Sequence, residues 1–218
     1  MITKFNKVVL LFFVYCLCSC GKLVKWGESN FYQGEELLTE QPIVQQYIRS
    51  TTVYDQFTTC AIFDALWLSD EVRGAYADLY AVRYGKNEEQ KKVFLRRQLE
   101  ENRHFITFYV LSLYEVPLGD STAEWSLFLN IDNENYIPTE IKSIDLAPEY
   151  IEFFGKKFTR FKVAYQVKFD AQDIEDNLLL SPDVGKFSLC FRSVNKGTKL
   201  TWQIYENMNV LVQQGAKQ

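Results

Sequence analysis

The sequence predicts an α+β domain that is mainly β: an antiparallel, immunoglobulin-like β-sandwich of about six or seven strands, with an N-terminal helix and an inserted helical hairpin. Segments rich in aromatic and β-branched residues recur through the second half of the chain. Most connections between these segments are too short for the crossover that joins parallel strands. One connection, about residues 70–103, instead carries apolar residues at helical spacing.

Residues 1–19 have the features of a secretory signal peptide. Lys4 and Lys7 precede the apolar segment 8–16, and the small residue Ser19 stands where a signal peptidase would cut. The apolar segment is too short to cross about 30 Å of hydrocarbon, which disfavours a retained membrane helix. We therefore expect cleavage at the end of this segment.

The last residues of the leader, Leu17-Cys18-Ser19-Cys20, resemble the lipobox of bacterial lipoproteins. This resemblance implies that Cys20 becomes the first residue of the mature chain and carries the acyl chains that anchor the protein to the membrane of the cell envelope. Gly21 follows Cys20, and by the same resemblance this favours the outer membrane in a cell with two membranes. The alternative is a plain secreted protein that is cleaved near Ser19 and leaves Cys20 unmodified.

Residues 20–34 contain scattered glycines and polar groups, which predict a flexible tether. A single globular domain is expected over residues 35–218. Between Glu35 and Ser50 the apolar residues recur at near-helical spacing, and Pro42 is tolerated at the first position of a helix. The first predicted element is therefore a helix that begins near Pro42.

The helical hairpin is predicted to follow a strand over residues 54–68, where apolar residues occupy both faces of a period of two. Ser69 and Asp70 are good N-cap residues for a helix that ends near Gly85. Residues 88–103 predict a second, highly charged helix with a narrow apolar side.

Strand patterns dominate the rest of the chain. The predicted strands are residues 105–114, 125–131, 136–144, 161–169, 187–194 and 199–205. The segment Asn133-Glu134-Asn135 has turn-forming residues and predicts a hairpin. Asn195-Lys196-Gly197 predicts a second hairpin, with a glycine where a positive φ is needed.

The charge of the chain limits its partners. Loss of Lys4 and Lys7 with the leader leaves 22 basic and 28 acidic side chains, a net charge of −6. Nucleic acids and anionic lipid headgroups are bound by basic surfaces, so this composition argues against both as partners.

Cleavage and lipidation would leave Cys60 and Cys190 as the remaining cysteines. An oxidising compartment permits a disulfide between them. Both lie in apolar, strand-like segments, however, where a lone cysteine usually behaves as a small buried hydrophobe. The sequence favours two free thiols over a bridge, because geometry decides whether two cysteines pair.

The sequence offers no catalytic residue. His104 is the single histidine of the chain, and no serine or cysteine stands in a recognisable nucleophile motif around it. One histidine and two separated cysteines do not supply a closed zinc site. No glycine-rich phosphate-binding motif occurs, so we expect neither a cofactor nor a metal. Residues 132–135 are oxygen-rich, but their spacing does not match a calcium-binding loop and is typical of a turn.

Aromatic residues could form a carbohydrate-binding platform if they were exposed. Trp125 and Trp202 alternate in phase with core residues, so we expect them to be buried. The favoured function is therefore that of a membrane-anchored envelope lipoprotein with a non-catalytic interaction or structural domain and an unidentified envelope protein as partner. The alternative is a module that binds a small molecule or carbohydrate. A third possibility is a hydrolase that uses carboxylates such as Asp170 and Asp173.

Overall fold

The computed structural model describes residues 42–113, 115–120, 122–181 and 183–204. The predicted leader, the tether and Cys20 lie outside these ranges. The described part is mainly β and contains a five-stranded and a four-stranded sheet. This arrangement is consistent with the predicted sandwich, although it has nine strands rather than six or seven.

The strands are β1 (Ile48–Asp55), β2 (Thr58–Trp67), β3 (Phe105–Leu113), β4 (Ser126–Ile131), β5 (Glu134–Tyr136), β6 (Glu140–Ile144), β7 (Lys162–Asp170), β8 (Lys186–Arg192) and β9 (Gly197–Gln203). The α-helices are α1 (Pro42–Gln45), α2 (Asp70–Arg83), α3 (Glu88–His104) and α4 (Pro148–Phe154). A short 3-10 helix, Gly155–Lys157, follows α4.

The two sheets pack face to face around one aromatic core. The larger sheet has the strand order β1-β2-β3-β7-β6 and the smaller has the order β5-β4-β8-β9. Every neighbouring pair of strands is antiparallel. Phe63 of β2 stacks on Phe191 of β8 with ring centroids 4.0 Å apart. The ring centroids of Phe108 of β3 and Trp202 of β9 are 5.3 Å apart.

A second core covers the outer face of the larger sheet. Leu66 and Leu111 of the sheet pack in this core with Val72 and Leu79 of α2 and with Phe153 of α4. The central strands β2 and β3 of the larger sheet are therefore largely buried on both faces, between the smaller sheet and the helices, whereas the edge strand β6 has no buried residue. This explains why apolar residues occur on both faces of β2.

The N-terminal elements differ from the prediction. The helix that begins at Pro42 ends at Gln45, and residues 48–55 form β1, which pairs with β2 through Ile48 and Leu66. The predicted single strand over residues 54–68 was also wrong, because the chain turns at Gln56 and Phe57 and enters a new strand at Thr58. Residues 48–50 therefore follow their pairing with β2 rather than the helical spacing of the local sequence.

The predicted strand over residues 136–144 is likewise two strands. β5 pairs with β4 in the smaller sheet, whereas β6 pairs with β7 in the larger one, so the chain changes sheets between Tyr136 and Glu140. The hairpin turn lies at Asp132 and Asn133, one residue earlier than predicted, and their φ values are 47° and 71°. Positive φ at both central residues suits the right-handed twist of a hairpin.

Candidate functional site

The candidate site is the end of the sandwich where two hairpin turns meet. Residues 58–62 of β2 extend beyond the part that pairs with β3, and they pair only with β1 among the described strands. The tip of the β1–β2 hairpin therefore projects past its own sheet. It meets the β8–β9 turn, residues 193–196, which belongs to the other sheet.

Lys196 joins the two turns. Its Nζ donates a hydrogen bond of 2.8 Å to the Tyr54 carbonyl oxygen and lies 2.9 Å from Asp55 Oδ1. It also lies 3.8 Å from Cys60 Sγ. A backbone hydrogen bond and an ion pair from one side chain therefore link the two turns.

Three apolar side chains are exposed on these turns. The exposed fraction is 101% for Phe57, 97% for Val194 and 60% for Tyr54. Single exposed apolar residues are ordinary, whereas a large contiguous group of them is typical of a contact surface. We call residues 54–59 and 193–196 the paired hairpin tips. Sequence reasoning missed them, because it placed Phe57 inside a strand and treated Lys196 as a turn residue.

A buried polar cluster joins α2 to α3. Arg73, which is 2% exposed, donates to Asn102 Oδ1 at 2.6 Å and to Gln98 Oε1 at 2.9 Å. Its Nη1 also lies 3.1 Å from Glu101 Oε2, and Lys168 Nζ lies 2.8 Å from the other oxygen of that carboxylate. These groups are held mainly by one another, so the cluster is suited to fixing α3 on the domain.

Burial alone would raise the pKa of Glu101. The hydrogen bond from Lys168 and the positive charge of Arg73 outweigh the burial, so the pKa lies below its usual value. Glu101 is therefore ionised at neutral pH and suits an ion pair better than a general acid.

The candidate acid–base residues His104 and Asp173 make local contacts. His104 has a side chain that is 67% exposed, and its Nε2 lies 3.9 Å from Glu100 Oε1. Asp173 accepts hydrogen bonds from the backbone of Asn177 and Glu175, and the bonds from Asn177 lower the pKa of its carboxyl group. Asp173 therefore holds its own loop and is poorly suited to act as a proton donor with Asp170.

No group of three or more metal-binding side chains lies together within the described ranges. Trp125 and Trp202 are buried, as predicted, with 6% and 1% of their surface exposed. The part of the chain that the structure describes thus presents neither of these two tryptophans as a sugar platform.

Cys60 and Cys190 are free thiols in the structure. Burial raises the pKa of the Cys190 thiol, against the opposing charges of Lys199 and Arg192. A thiol that stays protonated is a weak nucleophile, so Cys190 is poorly suited to covalent catalysis.

Comparison with known proteins adds no family assignment. The chain matches no protein-family model, and no curated protein matches its sequence. Within the described residues, none of the helices combines the length and the apolar character that crossing a bilayer requires.

Proposed function

We propose that this chain is a membrane-anchored envelope lipoprotein whose folded domain binds an envelope protein and catalyses no reaction. The observation that carries the binding role is the full exposure of Phe57 and Val194 on two turns that Lys196 holds together. Large apolar side chains on a preorganised edge are typical of protein contact surfaces. The anchor rests on the lipobox-like segment that ends at Cys20.

We further propose that the sandwich is immunoglobulin-like and that β1 is an additional strand. The orders β2-β3-β7-β6 and β5-β4-β8-β9 correspond to the orders A-B-E-D and C′-C-F-G of that fold. In this correspondence the β8–β9 turn takes the place of the F–G loop, which many such domains use for binding. The chain departs from antibody domains because β3 contains no cysteine to bridge to Cys190.

Photocrosslinking in the native host tests the binding surface. A photoreactive residue at position 57 should give one dominant covalent product with an envelope protein. Position 174 is a matched control, because Ile174 is also fully exposed, at 104%, but lies on the β7–β8 connection. The same products at both positions, or none at position 57, would remove the basis of the proposal.

Replacement of Cys20 by serine tests the anchor. The variant should appear in the soluble fraction or remain an uncleaved precursor, because two or three acyl chains are needed for lasting attachment to a bilayer. The intact mass of the membrane-purified native protein should include the acyl chains. A mass without any acyl addition contradicts the lipoprotein assignment.

The non-catalytic role is tested with His104→Ala. Complementation of a deletion strain by this variant should equal complementation by the native chain, since the imidazole is exposed and contacts only its chain neighbours Glu100 and Phe105 among the described residues. If the variant is folded and correctly located but inactive, His104 has an acid–base role and the domain is an enzyme.

A further inference from the structure

Helix α3 contacts the rest of the domain along one face and exposes the others. Phe94 stacks on Tyr80 of α2 at 4.2 Å between centroids, and Lys91 Nζ lies 3.2 Å from Asp78 Oδ1. Together with the cluster around Arg73, these contacts hold the helix on α2. Nevertheless, no residue of α3 is fully buried.

The exposed faces of α3 and of the turn before it carry unpaired positive charges. Lys86, Lys92, Arg96 and Arg97 are exposed, and none forms an ion pair with any residue that the structure describes. Neighbouring cations are neutralised, since Lys91 pairs with Glu88 and Arg103 pairs with Glu100. Glu89 is likewise exposed and forms no ion pair with the described residues, so these five side chains carry a net charge of +3 on an acidic protein.

Apolar side chains lie between these charges. One shallow cavity, of about 240 Å³, is lined by Lys92, Leu95, Arg96, Leu99, Glu100 and Arg103. A second cavity, of about 440 Å³, lies on the opposite flank, where Val93 and Phe94 line it together with Lys86 and Arg97. Both cavities are lined by apolar and cationic side chains together with one glutamate, Glu100 in the first cavity and Glu89 in the second.

The spacing along the helix arranges these residues in one row. Lys92, Arg96, Leu99 and Arg103 are separated by three or four positions and so lie on the same face. Lys92 and Arg96 are the unpaired cations of this row, since Arg103 pairs with Glu100. Basic side chains close to a bilayer are attracted by anionic lipid headgroups. An acidic protein partner would satisfy the charges but would not require the apolar side chains Leu95 and Leu99 beside them.

We propose that α3 and the turn at Lys86 form a docking surface for an anionic phospholipid bilayer. The guanidinium and ammonium groups contact lipid phosphates, while Val93, Leu95 and Leu99 lie at the boundary of the headgroups. This surface is separate from the paired hairpin tips and requires no acyl chain at Cys20. The net negative charge of the chain does not prevent docking, because Glu89 leaves an excess of cations on this surface and carboxylates farther away than about 8 Å are largely screened at physiological salt.

Vesicle flotation tests the proposal with residues 20–218 carrying Cys20→Ser, so that no lipid anchor contributes. The chain should bind vesicles that contain phosphatidylglycerol and should not bind vesicles of phosphatidylcholine alone. Each cation near an anionic surface contributes about a fivefold factor, so Lys92→Gln combined with Arg96→Gln should weaken binding about 25-fold. Higher salt should weaken the binding of the parent chain.

Lys142→Gln combined with Lys186→Gln is the matched control. These lysines are exposed, lie on strands β6 and β8, and form no ion pair with described residues, so the change in net charge is the same. The control should bind as the parent chain does.

Equal losses in the two double variants overturn the proposal, and so does absence of binding to the anionic vesicles. Binding to polyglutamate but not to these vesicles would overturn it in favour of an acidic protein partner. Thermal melting of both variants should match that of the parent chain.

Discussion

Arg73 illustrates how one buried charge can hold an exposed helix. Its guanidinium reaches three side chains of α3, namely Gln98, Glu101 and Asn102. Removing one partner of a buried ion pair generally costs about 3–5 kcal/mol, because the remaining charge stays buried without compensation. Since α3 buries no apolar residue fully, polar contacts fix its position to an unusual degree.

Acid should weaken the cluster through Glu101. The pKa of this carboxyl group is below its usual value of 4.5 in the folded protein, so its stabilising effect is present above pH 4.5 and is lost as the pH falls through the lowered pKa. The free energy of unfolding should therefore decrease on acidification, and it should decrease less in Glu101→Gln. Urea unfolding at neutral pH and below pH 4.5 measures the difference.

The exposed residue Glu100 provides the control for this experiment. Glu100→Gln removes a neighbouring charge on the same helix, which pairs at the surface with Arg103 and His104 and with no other described residue. Its stability should change with pH as that of the native protein does, because exposed ion pairs contribute little. If Glu101→Gln shows the native pH dependence, the cluster does not act as described.

At the level of elements, α2 is held on the larger sheet by an apolar stripe. Leu79 is 2% exposed and packs in the second core, whereas Lys92 on α3 is exposed. Replacing Leu79 by alanine should lower the free energy of unfolding by about 2–5 kcal/mol, because it leaves a cavity. Lys92→Ala should change it by less than about 0.5 kcal/mol. Chemical denaturation of the two variants measures both values, and equal effects would contradict this assignment of the buried stripe.

The β1–β2 hairpin shows why element boundaries depend on partners. No glycine or proline marks its turn, and Gln56 adopts a positive φ of 53° instead. The local sequence therefore predicts a continuous strand. Pairing across the hairpin, from Ile48 with Leu66 to Asp55 with Thr58, determines where the turn forms.

At the level of the whole molecule, the two cores share the larger sheet. Leu111 of β3 belongs to the core under the helices, while its neighbour Val110 belongs to the core between the sheets. A strand cannot leave one core without disturbing the other. The described domain should therefore unfold in one cooperative transition.

Two variants test this cooperativity. Leu79→Ala changes the core beneath the helices, and Leu189→Ala changes the core between the sheets, where Leu189 is fully buried. Each should shift a single denaturation transition, observed at the same midpoint by tryptophan fluorescence and by far-ultraviolet circular dichroism. Separate midpoints for the two probes would show that the layers unfold independently.

The sequence by itself determined the features that depend on neighbouring residues. Ser69 caps α2 by accepting a hydrogen bond from the Val72 amide, and such caps are visible in a few residues. The alternation of apolar and polar residues around Trp125 and Trp202 similarly predicts their burial, because successive side chains of a strand point to opposite faces and the apolar face packs on the core. These signals predict a mainly β domain without any knowledge of which strands pair.

The tertiary structure alone decided the features that depend on residues far apart in the chain. It divided residues 136–144 between two sheets, since β5 and β6 have different pairing partners. It brought Lys196 to Asp55 at the tip of the β1–β2 hairpin. Phe57 lies exposed in the same turn, although phenylalanine is usually a core residue. Among the described residues the fold also left Arg96 without an ion-pair partner, while it buried Arg73 among carboxylate and amide groups. Burial and pairing are properties of the contacts made in space, and the same side chain has a different role according to what the fold places beside it.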